Sequence, residues 1–172
     1  MATKSKGLNL PYYIEFPLPA GRWEDDLVLI AIDPGQTSGV AVLGAMDDTA
    51  YVDTFAWTWP NEAAKFKELF ALAKPGRKAH TTLIMIEDFR LRPAKATALS
   101  WNRFPAAKVI GWVEGLCVIH DLPLPEYLQP AQTKEITNEH LLQHFPSIPN
   151  NRHQRDALRI LTQLIIKYQV RS

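Results

Sequence analysis

Two carboxylates stand at equivalent places in the sequence, each at the end of an apolar run. Asp33 closes LVLIAID (27–33) and Glu87 closes TTLIMIE (81–87). A buried carboxylate is costly unless it has a partner, so either acid alone is better explained as a strand end that turns to solvent. If the two strands are parallel neighbours, both acids lie at the edge where open α/β sheets place their sites. The pair therefore indicates a functional site at that edge.

A third acid and a histidine begin the last helix, which we predict over residues 152–168. Its buried stripe holds Ala157, Ile160, Leu161 and Leu164. His153 falls on that stripe and Asp156 on its border, so the helix would direct both side chains toward the sheet. Taken singly, they are better explained as a structural histidine and an aspartate that stabilises the first helical turn.

Together, Asp33, Glu87, His153 and Asp156 form a donor set that suits a hard cation. Carboxylate oxygens favour Mg²⁺, for which Mn²⁺ can substitute. Clustered carboxylates raise one another's pKa unless a cation neutralises them. Two such ions ~4 Å apart can activate a water and stabilise the leaving oxygen in phosphodiester cleavage. The four residues are therefore predicted as metal ligands and catalytic residues of a site for two Mg²⁺ ions.

Other kinds of active site find no support in the sequence. It has no Walker loop, no GxGxxG fingerprint and no GxSxG elbow, so no nucleotide cofactor is expected. Cys117 lies inside an apolar run and is better explained as a core residue than as a nucleophile. As the single cysteine, it also excludes an intrachain disulfide and a zinc cluster built on thiolates.

The elements that must position the site follow the order β-β-β-α-β-α-β-α-α. Strands are predicted at 27–33, 40–44, 50–59, 81–87 and 124–128, and helices at about 60–74, 106–122, 130–145 and 152–168. This order predicts an α/β fold whose mixed five-stranded sheet joins a three-strand antiparallel meander to two parallel strands, with helices on both faces. Residues 1–26 are expected to form a poorly structured N-terminal extension, and residues 27–172 a single domain.

Length and composition fit one globular domain. The chain has 172 residues, 47% hydrophobic and 22% charged, which excludes a disordered tail and a collagen-like fibre. No apolar run is long enough for a bilayer and no signal peptide is visible, so we expect a cytoplasmic protein without membrane contact. The net charge is +1, but residues 89–172 hold eleven bases and six acids. That imbalance indicates a polyanion surface, and uneven solvated faces explain it equally well.

The bases are concentrated in residues 89–108, which hold no acid. We expect this stretch to contact DNA, because basic residues neutralise phosphates and rings such as those of Trp101 and Phe104 can stack on exposed bases. A solvated loop whose aromatics enter a dimer interface is the alternative. The predicted contacts are Phe89, Arg90, Arg92, Lys95, Arg103 and Lys108.

Four segments within residues 27–168 match one known family in order, spacing and element type. They read IAIDPGQTSGVAVL, LIMIEDF, GWVEGLCVIHDLPLPEYLQPAQTKEIT and HQRDALRI. Their most specific features are the strand-end glutamate, the Y-x-x-P-x-x-x-K run (Tyr127, Pro130, Lys134) and the H-x-x-D-A helix start. With these features the chain resembles the RuvC family of Holliday-junction resolvases.

The resemblance implies an RNase H-like fold, a homodimer and Mg²⁺-dependent nicking of branched DNA. Asp33, Glu87 and Asp156 resemble the family's acids, and His153 falls where many members have Asp and some have His. Lys134 resembles the lysine that the family places close to the scissile phosphate, which adds it to the catalytic and DNA-binding residues. Two departures fit a remote or phage-borne member: the extension, and TNEHLLQHFPSIPNN where a glycine-rich, lysine-bearing stretch is expected after Lys134.

Other functions stay open at this stage. The opening hairpin is shared with actin-like and sugar-kinase folds, although those need two such domains and usually a longer chain. A nuclease acting on flaps or RNA–DNA hybrids, or a DNA-binding module without catalysis, would have the same elements.

A homodimer is expected to form largely on the helix 106–122, in which Gly111 resembles a glycine that the family uses in dimerisation. A four-way junction has nearly two-fold symmetry, and two symmetric nicks in it require two active sites. A C₂ dimer supplies two such sites at a fixed spacing. In a monomer, the extension with Tyr12, Tyr13 and Trp23 would cover the apolar surplus instead. That surplus comprises Val109, Ile110, Trp112, Val113, Leu116, Val118 and Ile119.

Overall fold

A computed structural model describes residues 13–17, 26–46, 49–73, 80–88, 104–145 and 147–171. Within them, the strands form one mixed sheet of six members in the order β1-β4-β3-β2-β5-β6. The pairs β1–β4, β4–β3 and β3–β2 are antiparallel, whereas the pairs β2–β5 and β5–β6 are parallel. The strand bounds are β1 Tyr13–Pro17, β2 Asp26–Asp33, β3 Thr37–Met46, β4 Thr49–Thr58, β5 His80–Glu87 and β6 Glu126–Leu128.

This architecture confirms the predicted α/β class, with its meander and its two added parallel strands. All five predicted strands are present, and β1, which pairs with β4, adds a sixth strand at that edge. Part of the segment expected to be a poorly structured extension is thus a strand. The strand was not predicted because it contains Pro17. Proline is tolerated there because β1 lies at an edge of the described sheet, where one side of the backbone needs no strand partner. The division at residue 26 stays a prediction.

The helices cover both faces of the sheet. Their bounds are α1 Ala63–Leu72, α2 Pro105–His120, α3 Pro130–Thr133, α4 Asn138–His144 and α5 Arg152–Arg171. The single helical stretch predicted at 130–145 is instead two short helices, because the Thr137 side chain accepts a hydrogen bond from the backbone N–H of His140 and starts a second one. Among the described helices, none combines the length and apolar character that a membrane crossing requires.

Two apolar layers hold the helices on the sheet. On one face, Leu158 and Leu161 of α5 pack with Leu29 of β2. On the other face, Phe66 of α1 and Val113 of α2 pack with Ile30 of β2. β2 is therefore covered on both faces, which is why its sequence is a continuous apolar run and not an alternating one.

One glycine permits the first turn of α5 to lie directly against the sheet. Gly39 of β3 pairs with Asp33 across the sheet. A Cβ atom at position 39 would lie 1.8 Å from the backbone oxygen of His153 and 3.2 Å from the Cβ of Ala157. Only glycine allows this close backbone approach. Gly39 thus fixes how near the histidine comes to the end of β2.

We predict that Gly39→Ala destabilises the fold by about 1–3 kcal/mol or more, because the added methyl group overlaps a backbone atom that cannot move without its helix. Thermal and denaturant unfolding measure this loss. Gly44→Ala is the matched control on the same strand, since a Cβ at position 44 meets no atom within 4 Å. Equal stability of the two variants would contradict this account of the α5 contact.

Candidate active site

The parallel pairing of β2 and β5 brings the first two acids to one edge of the sheet. Ile32 pairs with Ile86 in register, so Asp33 and Glu87 follow at the carboxyl ends of neighbouring strands. The strand β6 continues this edge, with Leu128 paired to Glu87. The juxtaposition predicted from the sequence for these two acids is therefore present.

The start of α5 carries the other two predicted residues to the same edge. Asn151 caps the helix, because its side-chain oxygen accepts a hydrogen bond from the backbone N–H of His153 at 2.9 Å. The next residue, Gln154, is buried and donates to the backbone oxygen of Thr54 on β4 at 2.9 Å. These two anchors, neither of them found from the sequence, fix the helix end that presents His153 and Asp156.

His153 contacts the first acid directly. Its Nδ1 lies 3.1 Å from Oδ2 of Asp33 and donates to it when the ring hydrogen is on that nitrogen. This contact leaves Nε2 as the ring nitrogen available to a water or a cation. The histidine side chain is 41% exposed, whereas that of Asp33 is 14% exposed.

Asp33 is the electrostatic centre of the site. Its burial raises the pKa of the carboxyl group to about 6, and the negative charges of Glu87 and Asp156 add to the rise. The hydrogen bond from His153 acts in the opposite direction. Because both other acids influence this pKa, each of them lies close enough to Asp33 to repel its negative charge. Such repulsion is what a bound cation relieves.

Glu87 is held by a residue that sequence reasoning missed. The buried Thr133, the last residue of α3, places its hydroxyl 2.9 Å from Oε1 of Glu87 and 2.9 Å from the backbone oxygen of Pro130. The hydroxyl has one hydrogen to share between these two acceptors. Thr133 immediately precedes Lys134 in the sequence, so the Y-x-x-P-x-x-x-K run was the signal that could have found it.

Asp156 is engaged by two arginines of its own helix. Oδ1 accepts a short hydrogen bond from Nη1 of Arg159, and Oδ2 lies 3.4 Å from Nε of Arg152. The spacings are i,i+3 and i−4, which place ionic partners side by side on a helix. That spacing was visible in the sequence, but the role of Arg159 was not recognised.

Lys134 lies beside this cluster in an exposed position at the end of α3. It lines a cavity of about 360 Å³ together with Thr137, Asp156 and Arg159. The structure therefore places Lys134 within one concave surface with a predicted metal ligand. A lysine there can contact a phosphate whose neighbouring atoms approach Asp156.

The donor set fits a divalent cation in its chemistry. Three carboxylates and an imidazole are suitable ligands, and a cation would offset the repulsion that the charges of Glu87 and Asp156 exert on the buried Asp33. Across the part of the chain that the structure describes, however, no three His, Cys, Asp or Glu side chains are already arranged around a metal position. Each acid instead has a polar partner: His153 for Asp33, Thr133 for Glu87 and Arg159 for Asp156. The assignment of the four residues as metal ligands stays a prediction.

Most of the predicted DNA contacts fall in 89–103, outside the described residues. They are Phe89, Arg90, Arg92, Lys95 and Arg103. Lys108 lies on the first turn of α2 and is exposed, as a phosphate contact requires. The aromatic Phe104, by contrast, is buried and is not available for stacking on a base.

No protein-family model matches the sequence, and no curated protein matches it. Among solved structures, the protein is similar to the RuvC of T. thermophilus in complex with a Holliday junction substrate, with a TM-score of 0.51 and 16% sequence identity. The match covers 77% of this chain and 89% of that chain. At this identity the likeness shows the fold. Together with the sheet order, it confirms that the chain has the RNase H-like α/β fold expected from its sequence.

Proposed function

We propose that the protein is a metal-dependent, structure-specific DNA endonuclease that resolves four-way junctions or related branched DNA. The observation that carries the proposal is the convergence of Asp33, Glu87 and the first turn of α5 at one sheet edge. The fold likeness to a RuvC in complex with a Holliday junction substrate supports the choice of substrate.

Each side chain has a role in this proposal. Asp33, Glu87 and Asp156 hold divalent cations, which when bound supply an activated water and charge stabilisation for the leaving oxygen. His153 orients Asp33 through Nδ1 and can position the attacking water through Nε2. Lys134 contacts a phosphate oxygen from the rim of the cavity, and Thr133 fixes the orientation of Glu87.

We predict that the purified protein with Mg²⁺ makes paired, symmetric nicks in a four-way junction, and that Asp33→Asn lowers the rate by about 100-fold or more. The substitution removes a metal ligand and not a DNA contact, so junction binding should be largely retained. The assay compares a four-way junction, a flap, a plain duplex and an RNA–DNA hybrid, each labelled on every strand.

The substrate panel separates the proposal from its alternatives. Preferential cutting of the hybrid would indicate a ribonuclease H activity on the same fold, and cutting confined to the flap would identify a flap nuclease. Junction binding without cleavage in Mg²⁺ or Mn²⁺ would identify a binding module. Wild-type turnover by the Asp33→Asn protein would contradict the site assignment.

The DNA-contacting surface is tested by the salt dependence of binding. We predict that Lys108→Gln and Arg90→Gln each reduce the slope of log K against log salt by about one, because each removes one phosphate contact. Lys167→Gln is a matched control, since Lys167 pairs with Glu126 and lies about 21 Å along α5 from His153 at the helical rise of 1.5 Å per residue. A slope unchanged in the first two variants would remove them from the DNA surface.

We propose a homodimer that uses only the residues of α2 that are exposed in one protomer. Val109, Val113 and Leu116 belong to the core, so they are not available to a partner. Val118 and Ile119, in contrast, are 73% and 67% exposed. Gly111 and Gly115 precede Val118 on the same helical stripe, and a Cβ at either glycine would meet no atom within 4 Å. A flat stripe that ends in exposed apolar side chains fits the same stripe of a second copy.

We predict that the wild type sediments as a dimer at micromolar concentration and that Val118→Glu converts it to a monomer, because the substitution places a charge in an apolar contact. Leu72→Glu is the control, since Leu72 is 70% exposed but lies on α1. A wild-type monomer that cleaves junctions at full rate would refute the dimer.

A further inference from the structure

Asp156 is held by a guanidinium group that is itself fixed in three directions. Nη1 of Arg159 donates to Oδ1 of Asp156, Nε donates to the backbone oxygen of Ile136 at 2.9 Å, and Nη2 donates to Oδ1 of Asn138 at 2.7 Å. Of these two anchors, Ile136 lies in the connection between α3 and α4, and Asn138 is the first residue of α4. The arginine therefore joins the predicted ligand to the segment that follows Lys134.

This ion pair differs from an ordinary surface contact. The side chains of Arg159 and Asp156 are 21% and 27% exposed, whereas that of Arg152, the other partner of Asp156, is 82% exposed. Exposed pairs contribute little because water screens them and the side chains lose entropy. The guanidinium of Arg159 is partly shielded and already oriented by its two other acceptors, so less entropy is lost when it binds the carboxylate.

A divalent cation and this guanidinium compete for the same charge. Asp156 would supply a ligand oxygen at a sheet edge where its negative charge and that of Asp33 repel each other. Arg159 offsets part of that repulsion, and a cation bound to Asp156 would in turn repel the arginine. The carboxylate has two oxygens, but a cation on either of them repels the guanidinium on Oδ1, so that binding of one partner weakens the contact with the other.

We propose that Arg159 is a positioning residue that holds Asp156 in the cation-free site, and that divalent cation binding displaces its guanidinium from the carboxylate. The inference rests on the proposed function, because it takes Asp156 as a metal ligand. It adds that the cation affinity of this protein is set partly by a competing ion pair on α5. Arg159 lines the same cavity as Lys134 and Asp156.

The test is equilibrium binding of Mn²⁺ to the full chain, measured by calorimetry and by the electron paramagnetic resonance signal of free Mn²⁺. We expect Arg159→Gln to bind Mn²⁺ roughly tenfold more tightly than the wild type, since loss of a charge-assisted hydrogen bond removes the competitor. A purely structural role for Arg159 predicts weaker binding instead.

Two controls identify the pair that is responsible. Arg152→Gln removes an equal charge from the same turn but breaks only the exposed 3.4 Å contact, so its affinity should change by less than about threefold. In the Asp156→Asn background, the Arg159→Gln substitution should produce no gain, because the carboxylate for which arginine and cation compete is absent.

A second variant covers a failure of Arg159→Gln to fold. Arg159→Lys keeps the charge but cannot bond residues 136, 138 and 156 together, so its Mn²⁺ affinity should lie between those of the wild type and Arg159→Gln. Circular dichroism establishes folding for every variant. Unchanged or weaker Mn²⁺ binding in a folded Arg159 variant would overturn the proposal.

The outcomes separate this proposal from the proposed function. Mn²⁺ binding by the wild type that Asp33→Asn abolishes and that neither Arg159 variant tightens would overturn the role of Arg159 alone. No Mn²⁺ binding by the wild type, Arg159→Gln or Arg159→Lys would overturn both. Binding that becomes measurable only when Arg159 is replaced would support the competition.

Discussion

The cost of placing negative charges together around a buried carboxylate governs the organisation of this protein. Asp33 is largely withdrawn from water, and its pKa is raised by that burial and by the charges of Glu87 and Asp156. Each acid has its own polar partner. Asp33 contacts His153 on α5, Glu87 contacts Thr133 at the end of α3, and Asp156 contacts Arg159, which lies one turn after it on α5. These polar contacts thus stabilise carboxylates whose negative charges lie close to that of Asp33 at the sheet edge.

The two partners on α5 reach the site because the first turn of that helix packs directly against the sheet at Gly39. This turn is fixed by the cap at Asn151, by the buried bond from Gln154 to β4 and by the absence of a side chain at Gly39. If position 39 carried a side chain, the backbone at His153 would have to move away from the sheet. The histidine would then leave Asp33 with burial and like charges but without its hydrogen bond. Local backbone packing is therefore a condition for the electrostatics.

Sequence reasoning succeeded where one residue type and one periodicity were sufficient. The apolar runs that end in Asp33 and Glu87 identified two parallel strands, and the helical stripe placed His153 at the sheet. β1 was missed because prolines in and beside it interrupt the strand pattern, and because its partner, β4, lies far along the chain. Thr133 and Arg159 were missed for a related reason. A threonine or an arginine has many ordinary uses on a surface, and only tertiary contacts show that its partner is a buried acid.

The contacts at this edge also reduce the cost of bringing the three carboxylates together. A cluster of three carboxylates without partners would oppose the packing of α5 on the sheet, since unpaired like charges in a partly buried site are costly. An imidazole, a hydroxyl and a guanidinium reduce that cost with groups the chain already carries. The same partners have an opposite consequence for the proposed cation, which would have to compete with them for the carboxylate oxygens. Under the proposed function, the stability of the protein and its affinity for a cation would depend on the same carboxylates, and Arg159 pairs with the one where these two requirements conflict most directly.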